Sequence, residues 1–507
     1  MRIRLSSSVL VGMLCGITLL PWIVFFAWPL MSLPEGLKQV SDPGNSLSWR
    51  KALQAAVDDL VLAKVRFTVF QAGVSALISG GVGIPLGLYL RRAPRAAAWL
   101  RVPFGVPTLV ASTAWVALLA NTSVLYSVWA VWLAHAVFNI PWVGAQVADA
   151  AARVPQSWEE LARSLGARRW HRWRAVLWPV IGPAALAAMA QVFVFCSTSF
   201  ALVLLLGGGP PVETLETAIF SALHSGTLNL PQAIAFGLWQ LALATGVAVL
   251  SQRFWRPQGG VPAAHSEAAQ ESRAHLAISC LWILPYFIFL KELRWSIFFQ
   301  AEFWTSLLPA IHFSLAISIA IAGAATLWAA SAVVALRSTG PGRWRRWGEL
   351  LLLMPSGVGA LTLSLSVWLA YSSWWDPFEG SVVAVIVVQT VLFFPVIFRG
   401  LWALNRHPPV EVLEVARSLG ASAFRAWLTV EWPVLRKPLA GLVGLVAAAS
   451  LGDLAVVSFF TSAKGATLSL MVSRWLGHYR FEEAQAGAVV LLLLSGVLSW
   501  GFRVERG

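Results

Sequence analysis

Long apolar runs separated by short polar, arginine-bearing stretches set the rhythm of this chain. Many of the runs reach the ~18–20 residues that an α-helix needs to cross a hydrocarbon core of about 30 Å. The pattern predicts about twelve spanning helices, at 9–30, 67–90, 103–120, 123–144, 184–206, 232–251, 276–290, 310–336, 348–370, 380–398, 438–460 and 485–502. The short alternating segments of a transmembrane β-barrel are not seen. The expected fold is therefore an all-α polytopic membrane protein.

The polar stretches repeat as well. Residues 160–167, ELARSLGA, lie over 414–421, EVARSLGA, at an offset of 254, with seven of eight positions identical. The same offset carries Trp173 onto Trp427, Val176 onto Val430, and Trp178 and Pro179 onto Trp432 and Pro433. The repeat extends outward: Phe67 and Thr68 match Phe313 and Ser314, Pro107 matches Pro355, Pro141 matches Pro395, and Thr214 and Leu215 match Thr467 and Leu468. Two tandem halves of six helices each are predicted, 1–254 and 276–507, and an even number of crossings gives both the same orientation. Residues 255–275, with Pro257, Gly259, Gly260 and Pro262 in and around them, read as a polar linker.

Composition agrees with a membrane protein. Hydrophobic residues make up 58% of the chain, charged ones 12%, and mean hydropathy is +0.71, which excludes an ordinary soluble enzyme. A net charge of +14 would suggest nucleic acid in a soluble protein. Here its distribution explains it: with the N-terminus inside, 27 of the 37 Lys and Arg fall in inside segments and 10 outside. That bias follows the positive-inside rule, puts the loops at 150–180 and 405–436 in the cytoplasm with both termini, and leaves no nucleic-acid partner to invoke. The first run follows Arg2 and Arg4 but exceeds a signal-peptide core and lacks an A-x-A site, so it reads as a retained helix. Cys15, Cys196 and Cys280 sit in apolar runs and read as small buried hydrophobes. Most of the 28 tryptophans, among them Trp22, Trp28, Trp99, Trp115, Trp344 and Trp347, fall near predicted helix ends, as an interfacial belt.

Each repeated loop reads as a short helix between turns. Ser157 and Glu160 fit an S-x-x-E capping box, Leu161 and Leu165 share a face, and Gly166 supplies the left-handed residue that ends the helix. Pro179 then opens the next membrane helix, where its missing N–H does no harm. Pro409, Glu414, Gly420 and Pro433 repeat the scheme. No G-x-x-x-x-G-K-[ST] loop, H-E-x-x-H, C-x-x-C or G-x-S-x-G is present, so no catalytic or metal site and no cofactor is expected in this chain.

On this spacing the loops resemble the E-A-A, three residues, G, nine residues, I-x-L-P motif of the permease subunits of binding-protein-dependent ABC importers. Glu160, Ala162, Gly166, Val176 and Pro179 fall on it, as do Glu414, Ala416, Gly420, Val430 and Pro433. Leu161 or Val415 replaces the middle Ala, and Trp178 or Trp432 the penultimate Leu. The resemblance implies a fused permease in a bacterial inner membrane, whose two loop helices dock on two cytoplasmic ATPase subunits, and a periplasmic solute-binding protein. ATP would be used by the partner, the chain itself being no enzyme. The outer segment 206–220, LGGGPPVETLETAIF, resembles fused permeases of thiamine and ferric-iron importers, and SLGDL at 450–454 with GHYR at 477–480 resembles the thiamine branch.

Within the membrane, Asp453 is the residue whose chemistry stands out, because a carboxylate at mid-bilayer costs about 2.5–3.5 kcal/mol. It reads either as a pathway group able to meet a cationic solute or as a packing carboxylate held by a neighbour. Its repeat counterpart, Ser199, is uncharged. His135 and His312 are lone histidines in apolar runs and read as packing residues. The alternative class, an ion-driven secondary transporter of the major facilitator kind, should carry a G-x-x-x-D-R-x-G-R-R-like loop. Residues 91–101, RRAPRAAAWLR, lack its Gly and Asp.

Overall fold

The computed structural model describes residues 16, 18–33, 54–224, 229–252, 272–291, 293–339, 342–372, 381–405, 410–460 and 466–501. The expected linker up to Glu271, together with Cys15 and Pro409, lies outside them. The regular elements described are helices, and they run in two parallel series. The first comprises α1 (Thr18–Leu33), α2 (Asp59–Leu90), α3 (Pro94–Gly105), α4 (Thr108–Leu119), α5 (Val128–Ala151), α6 (Gln156–Ser164), α7 (Arg169–Ser197), α8 (Ala201–Gly207), α9 (Leu215–His224) and α10 (Leu230–Gln252). The second comprises α11 (Arg273–Lys291), α12 (Ala301–Ser338), α13 (Arg343–Gly357), α14 (Ala360–Tyr371), α15 (Ser381–Asn405), α16 (Val410–Ser418), α17 (Trp432–Leu451), α18 (Ala455–Phe459), α19 (Leu468–Gly477) and α20 (Phe481–Gly501). Each element of one series has its counterpart in the other.

Among the described residues, nine helical stretches are long and apolar enough to cross a bilayer, or up to eleven if two bent pairs each count as one span. The count of about twelve read from the sequence is not reproduced in that form. The described part of α1 is shorter than a full span, and the runs at 103–120 and 348–370 are broken, by 86° between α3 and α4 and by 100° between α13 and α14. The first bend has a local cause. Val106 is extended (ψ 129°) because Pro107 follows it, and a residue before proline is driven out of the helical region.

The chain forms two compact units, one of Leu53–Arg294 and the other of Met1–Ala52 with Trp295–Gly507. Their bounds differ from the tandem bounds 1–254 and 276–507, because α1 belongs to the unit of the second series and α11 to that of the first. Polar bonds fix α1: the Trp328 indole donates to the Thr18 carbonyl (2.9 Å), and Trp22 donates to that of Leu351 (2.9 Å). Apolar contact fixes α11: Trp282 packs on the cluster of Leu90, Ala93, Leu100 and Ala145, and Tyr89 stands 4.8 Å from the His275 ring. The tryptophans divide accordingly. Trp28, Trp99, Trp344 and Trp347 are exposed, as a belt residue is, whereas Trp22 bonds backbone and the Trp115 indole N–H is buried within α4. Cys196 is buried and Cys280 is exposed, a correction for the latter, whose helix α11 is mostly exposed.

Lipid offers apolar side chains no refuge that protein does not, so helices in a bilayer associate by close packing. In the first unit α2, α5 and α7 meet over small residues: Ala72, Ala76, Val143, Val147, Ala151, Ala185, Ala188 and Cys196. Gly83 and Gly87 bring α2 onto α5, for a Cβ at Gly83 would lie 2.8 Å from Val143 Cβ and one at Gly87 2.7 Å from Val147 Cβ. The second unit fills the equivalent interface with rings, Trp328 on Phe394 (4.0 Å) and Phe394 on Phe398 (5.6 Å). Gly87→Val is therefore expected to destabilise the protein by about 1–3 kcal/mol through overpacking. Gly73→Ala, at a position with nothing within 4 Å, should leave stability unchanged. Thermal melting of the detergent-solubilised chain checks the pair; equal midpoints for the two variants would refute the packing argument.

Candidate functional site

The repeated loops fold into α6 and α16, nine residues each. The expected capping box does not form. Pro155 is the N-cap, its carbonyl accepts from Trp158 N–H (3.2 Å), and Ser157 lies inside the first turn, two residues too late to cap. A proline has already set an extended entry (ψ 139°), so the helix starts one residue before the serine. The C-terminal end follows the sequence reading. Gly166 has φ +73° and Gly420 φ +85°. Ala167 N–H donates to the Ala162 carbonyl (2.9 Å) and Gly166 N–H to that of Arg163 (2.9 Å), the two bonds of a Schellman turn. Ala421 N–H donates in the same way to Ala416 (3.0 Å).

Each loop helix exposes an apolar stripe: Trp158, Leu161 and Leu165 on α6, and Val412, Val415 and Leu419 on α16. The six positions correspond pairwise at offset 254 and follow an i, i+3, i+7 spacing. Such a stripe is the face with which an amphipathic helix enters a groove, and apolar side chains repeated on an exposed face mark an interaction site. Glu160 and Glu414 are exposed beside it. The neighbouring Glu159 has another role, gripping Arg91 at the end of α2 through two oxygens (2.8 and 3.0 Å). In the second unit Arg337, the counterpart of Arg91, pairs instead with Glu431 (3.0 Å). The repeat aligned Arg91 with Arg337 but held no sign of these partners, since Glu159 and Glu431 are not equivalent positions.

Pro179 and Pro433 each stand second in a regular α-helical stretch, Trp178–Ser197 and Trp432–Leu451, as the sequence expects, but the turn before each is already helical. The helix of α7 is continuous from Arg169, and Pro179 follows a widened turn over Trp173–Leu177 in which Trp178 N–H reaches back five residues to the Trp173 carbonyl. The turn over Trp427–Glu431 precedes Pro433 likewise. A proline ring clashes with the carbonyl four residues back, and one extra residue in the turn relieves it. Ile23–Ala27 in α1 makes the same turn before Pro29. There the Val24 carbonyl would need an N–H that Pro29 lacks, and the Tyr371 hydroxyl supplies a donor.

Deeper in each unit a spanning helix breaks, between α7 and α8 and between α17 and α18. Side-chain amides cap the first break: Gln71 Nε2 donates to the Cys196 carbonyl (2.7 Å) and Gln240 Nε2 to that of Ser197 (3.4 Å). At the second break Asp453 Oδ2 accepts from Val456 N–H (3.1 Å) and from Gln389 Nε2 (2.8 Å). Gln389 Oε1 in turn accepts from Ser450 (2.6 Å). Beside this network lies a small cavity of ≈ 10 Å³, lined by Ser314, Ser318, Gln389, Ser450 and Thr467 among others. Ile317, also on its wall, is the counterpart of Gln71. His135, the counterpart of Gln389, is buried with Nδ1 3.3 Å from Ser75 Oγ, while exposed His312 pairs with its own helix at the Leu308 carbonyl (2.8 Å). Each unit holds its own copy of one more bond: within the first, Thr68 Oγ1 accepts from Leu215 N–H (3.0 Å), and within the second, Ser314 Oγ accepts from Leu468 N–H (2.7 Å).

Residues 81–255 match the family described as binding-protein-dependent transport system inner membrane component, a stretch that takes in α6 and its Schellman turn. The chain is similar to the thiamine transport system permease protein ThiP of Haemophilus influenzae, 27% identical over 94% of each chain. ThiP of Escherichia coli is 27% identical over 86% of this chain and 87% of its own. The sulfate transport system permease protein CysT of Escherichia coli is 26% identical, covering 48% of this chain but 92% of itself.

The bonds around Asp453 give its two readings different stabilities. Asp453→Asn keeps an oxygen for Val456 N–H and is expected to melt near the parent, whereas Asp453→Ala should lose about 1–2 kcal/mol, the usual worth of a helix cap. Melting in detergent measures both. If Asn and Ala variants both melt with the parent while transport alone falls, the capping role is wrong.

Proposed function

We propose that this chain, which carries the inner-membrane permease domain of binding-protein-dependent transport systems, supplies both membrane halves of an ATP-driven importer. Its helices line the route of the solute across the inner membrane, and a separate protein hydrolyses ATP. Each loop helix, α6 and α16, docks on one of two ATPase subunits at the cytoplasmic face, and a solute-binding protein delivers cargo from the other side. The termini lie in the cytoplasm in this reading, which the distribution of Lys and Arg supports. The observation that carries this reading is the twin stripe, three exposed apolar residues at identical spacing on two helices 254 positions apart. An ordinary solvated loop has no reason to repeat it.

Within this reading Glu160 and Glu414 flank the docking face. Ala162 and Ala416 offer the carbonyls that close the turn, and Gly166 and Gly420 supply its left-handed residue. Pro179 and Pro433 mark the widened turns through which loop motion passes into α7 and α17. The cargo we assign is thiamine or a related small solute, on the similarity to ThiP along almost the full chain. A major-facilitator carrier is not favoured, since it would need neither the loop stripes nor a binding-protein-dependent permease domain.

Leu165→Asp together with Leu419→Asp should abolish co-purification of the ATPase while the chain still inserts and folds, which pull-down and melting report together. Gly166→Val with Gly420→Val strains each turn by about 1–2 kcal/mol; solute-stimulated ATP hydrolysis by the reconstituted complex should fall to its basal level. Uptake that resists orthovanadate, or stimulation that survives the glycine pair, would defeat the importer reading.

A further inference from the structure

In one respect the first loop departs from its repeat. Beyond the Schellman turn it carries Arg168, Arg169, His171, Arg172 and Arg174, where the second has Ser422, Ala423, Arg425, Ala426 and Leu428. Five basic side chains stand against one. The same segment holds a stack of indoles: Trp170 on Trp173 (centroids 5.1 Å, planes 17° apart) and Trp173 on Trp178 (5.0 Å, 29°). Trp170 is 61% exposed. Arg168, Arg169, His171 and Arg174 are exposed, and Nε of Arg172 is buried without a hydrogen-bond partner. Among the described residues none of these five makes a salt bridge.

Depth follows from the helix itself. Residues 175–197 of α7 carry no charge and, at 1.5 Å per residue, extend for about 35 Å, enough to fill the hydrocarbon layer. Residues 168–174 then stand at the level of the lipid headgroups, where tryptophan partitions and where arginine meets phosphate. The positive-inside rule accounts for basic residues on this side of the membrane. It does not account for their clustering within residues 168–174, where the second repeat keeps Arg425 and places Arg436 and Lys437 further along, nor for Trp170, the indole of the stack that Phe424 replaces in the second repeat. Docking on an ATPase does not account for it either, because the apolar stripe available for that is present on both loop helices.

We propose that the segment 168–178 is a binding surface for anionic phospholipids, the guanidinium groups taking headgroup phosphate oxygens while the stacked indoles lie along the glycerol and carbonyl layer. The first half of the permease is thereby pinned to acidic lipid through this segment. This inference rests on the membrane placement of α7 and not on the importer reading, and its readout is lipid rather than transport.

Native mass spectrometry of the full chain, released from nanodiscs of equal phosphatidylglycerol and phosphatidylcholine, tests it. The parent should retain phosphatidylglycerol preferentially, by about tenfold. Changing Arg168, Arg169, Arg172 and Arg174 all to Gln should remove the preference, and changing the same four to Lys should keep most of it. Arg425→Gln in the second loop should have no effect. Should the four-Gln variant fail to insert, Arg168→Gln with Arg174→Gln, both at exposed positions, carries the same comparison with a smaller loss. The proposal is overturned by equal retention of the two lipids in the parent, by an unchanged preference in the Gln variants, or by the same loss from Arg425→Gln. Loss of an associated protein with lipid retention intact would also overturn it, reassigning the arginines to that protein.

Discussion

A hydrocarbon layer supplies no water to unpaired peptide groups, and three interruptions of the described helices meet that constraint with side chains. Between α7 and α8, glutamines from α2 and α10 bond the carbonyls that the helix end leaves open. Between α17 and α18, Asp453 caps the N–H groups on the far side of the break, and Gln389 reaches across to hold the carboxylate. In α1 a tyrosine hydroxyl serves the carbonyl that Pro29 deprives. At these three interruptions the cap comes from another helix or is held by one, so a spanning helix cannot straighten or unwind there without breaking a contact in its own unit. Breaks and tertiary fixation are one device.

The caps also explain why the two units share a plan but not a set of side chains. Thr68 and Ser314 make the same bond to Leu215 and Leu468, and a hydroxyl suffices in either case. At the neighbouring position Gln71 became Ile317, and the first unit's amide cap has no copy in the second. There the carboxylate of Asp453 caps from within the break itself. The buried polar residues therefore differ between repeats while the break they serve stays in register. Packing shows the same freedom, with glycine and alanine spacing helices closely in one unit and stacked rings filling the equivalent interface in the other.

What the sequence made legible follows from what is local. Apolar runs indicated the helices, and among the described residues each predicted run falls largely on helix, because twenty apolar residues in a row admit few other fates. The left-handed glycines were legible because only a turn of that kind needs them. The breaks were not: a bend of 86° inside an apolar run leaves composition unchanged, and only Pro107 hinted at it. Membership of α1 and α11 was hidden for a related reason, since tandem order says which residues are connected and nothing about which surfaces fit. The partners of Arg91, Arg337 and Asp453 were likewise invisible, being fixed by distances between segments from 64 to 94 residues apart.

The spacing of the repeated loop motif has a geometric reason that its letters conceal. An alanine four residues before the glycine is the residue whose carbonyl closes the Schellman turn, and a small side chain there leaves the turn room to fold back. The exposed apolar residues then occupy the positions that the turn does not use. The segment beyond must restart a helix and enter the membrane within a few residues, which the widened turn before Trp178 and Pro179 permits, since it tolerates a proline that a regular turn would reject. Loop helix, left-handed turn and widened turn thus follow one another without an irregular linker. The loop helix is continuous with α7 through backbone geometry, and the Arg91–Glu159 pair ties it to the end of α2 as well.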